Sequence, residues 1–123
     1  MRDGWVWERT EQDAALAAGR FAAEGMRLVT VRQERSAGLR ETQAALAAAL
    51  RLPAPAEHNL DAFADTLRDL RVWWQGRAVA LVWDRAGLLR DTDERAWQVL
   101  TGILDEAQVP TIAVVGPDTA GTV

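Results

Sequence analysis

Three acidic side chains and one histidine are the residues whose types and spacing suggest chemistry. Asp61 and Asp65 stand four residues apart in a stretch with helical patterning, and Glu106 lies near the end of a second such stretch. A spacing of four places both aspartates on one helix face, about 5–6 Å apart at their β-carbons. Such carboxylates can accept charge-assisted hydrogen bonds from a cationic partner, or they can serve acid–base or metal chemistry.

The catalytic and metal interpretations find little support in the sequence. His58 is the single histidine, with Glu57 before it and Asp61 three residues after it. A metal or acid–base site normally needs a second imidazole, a cysteine or a built cleft, and a lone histidine before a helix is more typical of an exposed loop. A paired-carboxylate hydrolase would need a substrate cleft, which 123 residues without insertions do not suggest. We therefore predict that the protein is not an enzyme and holds no metal or cofactor.

The aspartate stripe instead favours a cationic partner. An acid such as Asp61 in the first turn of a helix is stabilised by the helix dipole. Asp65 lies deeper, has modest helix propensity and is repelled by Asp61, and Asp69 is predicted to continue the same stripe. A like-charged stripe that costs stability has a reason to exist if it binds positive charge.

Composition narrows the class of partner. The formal net charge is −4, all 14 basic residues are arginine, and there is no cysteine. An acidic chain is poorly suited to nucleic acid and better suited to a basic protein. No glycine-rich phosphate loop follows any predicted strand. No apolar run approaches the ~18 residues of a membrane span, and no apolar leader follows Met1. We therefore expect a cytoplasmic protein with no nucleic-acid or membrane partner.

The elements that must position these acids form an α/β pattern. Apolar runs at 28–31, 78–83 and 111–115 predict strands. Helices are predicted from Leu39 to Arg51 and, after a two-proline break, from an N-cap at Asn59 through Leu70. A turn or short helix at 84–90 precedes a long helix, which an Asp91–Glu94 capping pattern opens. Strands separated by helices predict a small three-stranded parallel sheet packed against helices.

The segments outside this pattern are treated separately. Residues 1–25 are predicted to be an appendage, with a short strand at Gly4–Trp7 and an alanine-rich helix ending near Gly25. Residues 26–116 form the main domain, and residues 117–123 a short flexible tail. Trp5 and Trp7 are predicted to cover a sheet edge, or else to contact a second partner.

The remaining four tryptophans are assigned by their neighbours. Trp83 and Trp97 lie on apolar faces and are predicted to be core residues. Trp73 and Trp74 follow the acidic helix, and one of them is expected to pack inward while the other is partly exposed. The sequence does not decide which.

One segment resembles a known family. Residues 52–67 read Leu-Pro-Ala-Pro-Ala-Glu-His-Asn-Leu-Asp-Ala-Phe-Ala-Asp-Thr-Leu. This segment resembles the inhibitory loop and second helix of the barstar family of ribonuclease inhibitors. The similarity continues through an apolar strand that ends in Trp83 and reaches Asp105-Glu106-Ala107 and the final strand. It spans roughly Met26 to Val115 in matching order and so implies a barstar-like fold.

The resemblance also implies a binding surface. The carboxylate that matches Asp65 would replace a substrate phosphate in a ribonuclease active site. Asp61 would reach cations at the rim or the substrate-binding loop, and Glu106 would form a third ion pair. Pro55, Ala56 and Ala64 stand where the family has aromatic residues on outward-facing positions, and Glu57 replaces a loop glycine. With His58, these positions complete the predicted partner-binding surface.

The resemblance therefore implies a 1:1 inhibitor of a basic, extracellular-type microbial ribonuclease, which covers the enzyme's active site with an acidic helix face. The alternative is a barstar-like binding module or immunity protein for a different toxin or regulatory target. The absent aromatic residues favour this alternative, because aromatic residues often dominate binding energy. The retained aspartate pair favours the ribonuclease.

Overall fold

Four strands form one parallel sheet in the order β1-β4-β3-β2. The computed structural model describes residues 4–116, so the predicted tail at 117–123 lies outside the described residues. The strands are β1 (Val6–Arg9), β2 (Arg27–Arg32), β3 (Val79–Asp84) and β4 (Thr111–Val114). The helices are α1 (Glu11–Ala23), α2 (Leu39–Ala49), α3 (Leu60–Arg68), α4 (Leu70–Trp73), α5 (Gly87–Thr92) and α6 (Glu94–Glu106), and a 3-10 turn spans Ala54–Glu57.

The predicted α/β class and parallel sheet are confirmed, but the strand count of three is wrong. The fourth strand is β1, from the segment predicted to be an appendage, and it pairs with β4 with Val6 opposite Thr111. Thr111 donates its amide hydrogen bond to the carbonyl of Trp5 at 2.9 Å, and Val115 donates to Arg9 at 3.0 Å. β1 thus covers the edge that β4 would otherwise expose.

Chain direction explains why α1 lies apart from the other helices. The connections from β2 to β3 and from β3 to β4 each move one strand towards β1. The connection from β1 to β2 moves in the opposite direction, across the whole sheet. Right-handed crossovers then place α1 on the opposite face. There Ala14 and Phe21 of α1 pack with Ile112 and Val114 of β4, separately from the main core.

The main core lies on the other face, between the sheet and the remaining helices. Trp83 is fully buried and Trp97 nearly so, and their ring centroids are 5.4 Å apart. The indole of Trp83 donates a hydrogen bond of 3.1 Å to Oε1 of Gln33. Their predicted place in the core is confirmed. Of the other pair, Trp74 packs inward, while Trp73 is half-buried.

Helix boundaries differ from the predictions at two aspartates. α6 is capped by Asp93, whose Oδ1 accepts a hydrogen bond of 3.0 Å from the amide of Ala96, so the predicted cap at Asp91 is wrong. Asp91 belongs to the short helix α5 instead.

The predicted helix through Leu70 breaks at Asp69, the C-cap of α3. The carbonyl of Thr66 explains the break, because it accepts a 3.0 Å hydrogen bond from the indole of Trp73 and another of 3.1 Å from the amide of Asp69. Asp69 is exposed at the end of α3, and its place on the aspartate stripe stays a prediction. Within residues 4–116, no helix is long and apolar enough to cross a bilayer.

Candidate functional site

The segment that joins α2 to α3 begins with a tight helix end. Arg51 adopts a left-handed backbone with φ of 59°, which lets the amides of Arg51 and Leu52 bond back to Ala48 and Ala47 at 3.1 and 3.0 Å. This is the Schellman pattern, here without the usual glycine. The guanidinium of Arg51 lies 4.0 Å from the centre of the Trp74 ring, and a cation–π contact of this kind stabilises the residue's position.

A 3-10 turn at Ala54–Glu57 then sets the loop. The amide of Ala56 bonds to the carbonyl of Pro53 at 2.9 Å, and this turn points the Ala56 side chain into the core, where it is fully buried. Inside the protein, Nε2 of the buried Gln43 donates a hydrogen bond of 3.0 Å to the Ala56 carbonyl. The expectation that Ala56 faces outward is therefore wrong. Ala56 shapes the loop and does not present a side chain to a partner.

The other predicted loop and helix positions lie at the surface. Pro55 and His58 are exposed, whereas Ala64 on α3 is half-buried. Asn59 caps α3 as predicted, because its Oδ1 accepts a hydrogen bond of 3.1 Å from the amide of Ala62. The cap fixes where α3 begins and therefore which way its polar face points.

The acids themselves lie on neighbouring helices. Asp61 and Asp65 are exposed on α3, one turn apart, while Phe63 and Leu67 bury the opposite side of the helix. Glu106 is the last residue of α6, which packs against α3. Its neighbour Asp105 accepts a hydrogen bond from the amide of Trp5, which ties the residues before β1 to this end of α6.

Arg68 forms ion pairs with two of the predicted acids, although no role for it was predicted from the sequence. Its Nη1 lies 2.7 Å from Oδ1 of Asp65, and its Nη2 lies 3.6 Å from Oε1 of Glu106. The side chains of Asp65, Glu106 and Arg68 are 73, 77 and 50% exposed. The spacing of three between Asp65 and Arg68 is a helical ion-pair signal that the sequence does contain. The contact with Glu106 carries no such signal, because it joins separate helices.

We call the surface formed by Asp61, Asp65 and Glu106 the acidic face. Exposed carboxylates on two packed helices can accept hydrogen bonds from arginine, lysine or protonated histidine of another molecule. Among residues 4–116, no three His, Asp or Glu side chains lie close enough together to hold a metal ion.

Comparison with known proteins gives one match. No curated protein and no solved structure matches the chain. The family model described as Barstar (barnase inhibitor) matches residues 26–111, which is more than two thirds of the chain and includes the loop, the acidic face, the strands β2 and β3 and the first residue of β4. The chain therefore belongs to the barstar family of barnase inhibitors.

Proposed function

We propose that the protein inhibits a basic microbial ribonuclease by placing the acidic face over the enzyme's active site. Members of its family are inhibitors rather than enzymes. The observation that carries the proposal is the exposure of Asp65 and Glu106, at 73 and 77%, on two helices packed side by side. Such a surface can offer several carboxylates to a cationic cleft at once without rearranging the core.

The proposed mechanism is occlusion supported by charge. Asp65 would occupy the place of a substrate phosphate and accept hydrogen bonds from the arginine and histidine side chains that normally bind it. Asp61 and Glu106 would pair with cations nearer the rim, and Pro55, His58 and Ala64 would contact the surrounding surface. Complementary charge also speeds encounter, because an acidic surface attracts a basic partner over a distance of about one Debye length. One inhibitor would cover one active site, and inhibition would take place in the cytoplasm.

A titration tests this proposal. The purified protein is added to a panel of basic microbial ribonucleases, and cleavage of a fluorogenic RNA is followed. For the correct partner we expect activity to fall linearly and to vanish at one equivalent. The matched control is the double variant Asp61→Asn/Asp65→Asn, which keeps side-chain shape while removing two charges. Equal inhibition by this variant, or no inhibition of any enzyme at micromolar concentration, would count against the proposal.

A different toxin is the second candidate target. The exposed Pro55 and half-buried Ala64 offer no aromatic ring at positions where such rings often dominate binding energy. The interface would then be centred elsewhere or fit another protein. Affinity capture with the wild-type protein and with the double variant distinguishes the two: a captured protein that lacks ribonuclease activity but depends on the acidic face supports this candidate.

A further inference from the structure

Arg68 is a cation within the acidic face itself. It contacts Oδ1 of Asp65 at 2.7 Å and lies 3.6 Å from Oε1 of Glu106, so it stands between two of the three acids of the acidic face. A carboxylate oxygen that already accepts a charge-assisted hydrogen bond is less available to a second cation. The guanidinium also adds positive charge to a surface proposed to attract positive charge.

Folding gives this arginine only a small role, as a cation in the last turn of α3 that pairs with Asp65 three residues before it. All three side chains are at least half exposed, and ion pairs with that exposure contribute little to stability because solvent screens them. In an interface the same charge matters more, since juxtaposed like charges there oppose binding and suppress unsuitable partners. Arg68 is therefore better explained by its effect on binding than by its effect on folding.

We propose that Arg68 is an internal counter-ion that weakens the acidic face for cationic ligands in general and so sets its specificity. A partner must either displace Arg68 or hold its own cations where Arg68 leaves room. This inference rests on the proposed use of the acidic face, but it requires only that the ligand is cationic and not that it is a ribonuclease. Removing the arginine should strengthen binding, whereas removing a residue that merely supports the interface would weaken it.

The test compares Arg68→Gln with Arg20→Gln. Both variants change the net charge from −4 to −5, but Arg20 is exposed on α1, on the far face of the sheet. A hexa-arginine peptide serves as the probe, with affinity measured by calorimetry and the binding site by amide chemical shifts. We expect Arg68→Gln to bind the peptide about 3–30-fold more tightly than Arg20→Gln, which equals about 0.7–2 kcal/mol. The shifts should centre on α3 and the end of α6. Arg68→Lys, which keeps the charge but loses the planar fork, should lie between wild type and Arg68→Gln.

The outcomes separate this inference from the proposed function. If Arg68→Gln binds the peptide no more tightly than Arg20→Gln, or more weakly, the counter-ion role is wrong even if the wild type inhibits a ribonuclease. If it binds more tightly at α3 while no ribonuclease is inhibited, the counter-ion role holds and the proposed partner is wrong. Thermal melts of all variants should coincide within about 2 °C, because the ion pairs are exposed.

Discussion

Gln43 in α2 donates a hydrogen bond of 3.0 Å from its buried Nε2 to the main-chain carbonyl of Ala56. This bond holds the 3-10 turn from inside the protein, while Pro55 and His58 face solvent on the same turn. The shape of the exposed loop therefore depends on a side chain that no partner can touch.

We expect Gln43→Met to lower the free energy of unfolding by about 1–3 kcal/mol, because it leaves the buried Ala56 carbonyl without a donor. Inhibition should weaken as well, since the loop loses its internal anchor. Urea denaturation and inhibitor titration measure the two effects. Gln98→Met, at an exposed position on α6, is the control and should change stability by less than about 0.5 kcal/mol. Equal stability of the two variants would show that the Ala56 carbonyl finds another donor or water.

Asp65→Ala should separate binding from folding. Loss of an interface carboxylate leaves the partner's cations buried and unpaired, which costs roughly 2–5 kcal/mol, or about 30-fold or more in affinity. The melting temperature should change little, because the better helix propensity of alanine and the relief of repulsion from Asp61 offset the loss of the exposed Asp65–Arg68 ion pair. Inhibitor titration and a thermal melt measure the two effects.

Two further variants serve as comparisons for Asp65→Ala. Asp13→Ala removes an exposed acid from α1 on the far face and should leave inhibition unchanged. Asp61→Ala should also weaken binding, but its effect is harder to assign to the interface, because the substitution removes a favourable first-turn acid from α3 as well. If Asp65→Ala inhibits as well as wild type, the acidic face is not the inhibitory surface. If it inhibits poorly only because it has unfolded, Asp65 is structural.

Association with the ribonuclease should depend strongly on ionic strength. Between about 10 mM and 150 mM salt the Debye length falls from roughly 30 to 8 Å, which shortens the reach of the acidic face. Stopped-flow fluorescence should therefore show a marked fall in the association rate constant and a smaller change in dissociation. The Asp61→Asn/Asp65→Asn variant should show a shallower dependence. A rate constant indifferent to salt in the wild type would contradict electrostatic steering.

The strand and helix that precede residue 26 should matter for stability and not for inhibition. Deleting residues 1–24 would expose the edge of β4 together with Ile112 and Val114, so we expect aggregation or a much lower melting temperature. A milder variant keeps the strand: Phe21→Ala should cost about 1–3 kcal/mol, or roughly 4–12 °C, with inhibition intact. A folded Phe21→Ala protein that no longer inhibits would place α1 in the interface.

The cap of α6 offers a matched pair of substitutions. Asp93→Ala removes the acceptor of the Ala96 amide and should destabilise the protein by about 0.5–2 kcal/mol. Asp91→Ala should have little effect, since this residue is exposed and its contact with Arg90 is a long 3.6 Å ion pair at the surface. Chemical denaturation of both variants measures the difference. If Asp91→Ala were less stable than Asp93→Ala, Asp91 and not Asp93 would be the cap of α6.

Features that depend on one element are the ones the sequence predicts well. The cap at Asn59 and the apolar strand that contains Trp83 each follow from a local pattern, and the structure confirms both, although the strand runs one residue further, to Asp84. The cap predicted at Asp91 is wrong because Asp91 and Asp93 both precede the helix, and only the path of the backbone between α5 and α6 decides which one caps it.

Features that join distant segments are not predictable in this way. Trp5 and Asp105 are 100 residues apart in sequence, yet they are hydrogen bonded to each other. The pairing of β1 with β4 likewise joins the two ends of the fold. The buried position of Ala56 and the approach of Arg68 to Glu106 likewise depend on how separate elements pack. Local periodicity carries no information on these distances.

The isolation of α1 on its own face of the sheet has a practical consequence. Leu16 is 62% exposed on this helix, and the entire sheet separates it from the acidic face. Because the chain contains no cysteine, Leu16→Cys would introduce a single thiol for coupling to a fluorophore or a sensor surface. A protein immobilised through that thiol would present Asp61, Asp65 and Glu106 towards solution in one uniform orientation.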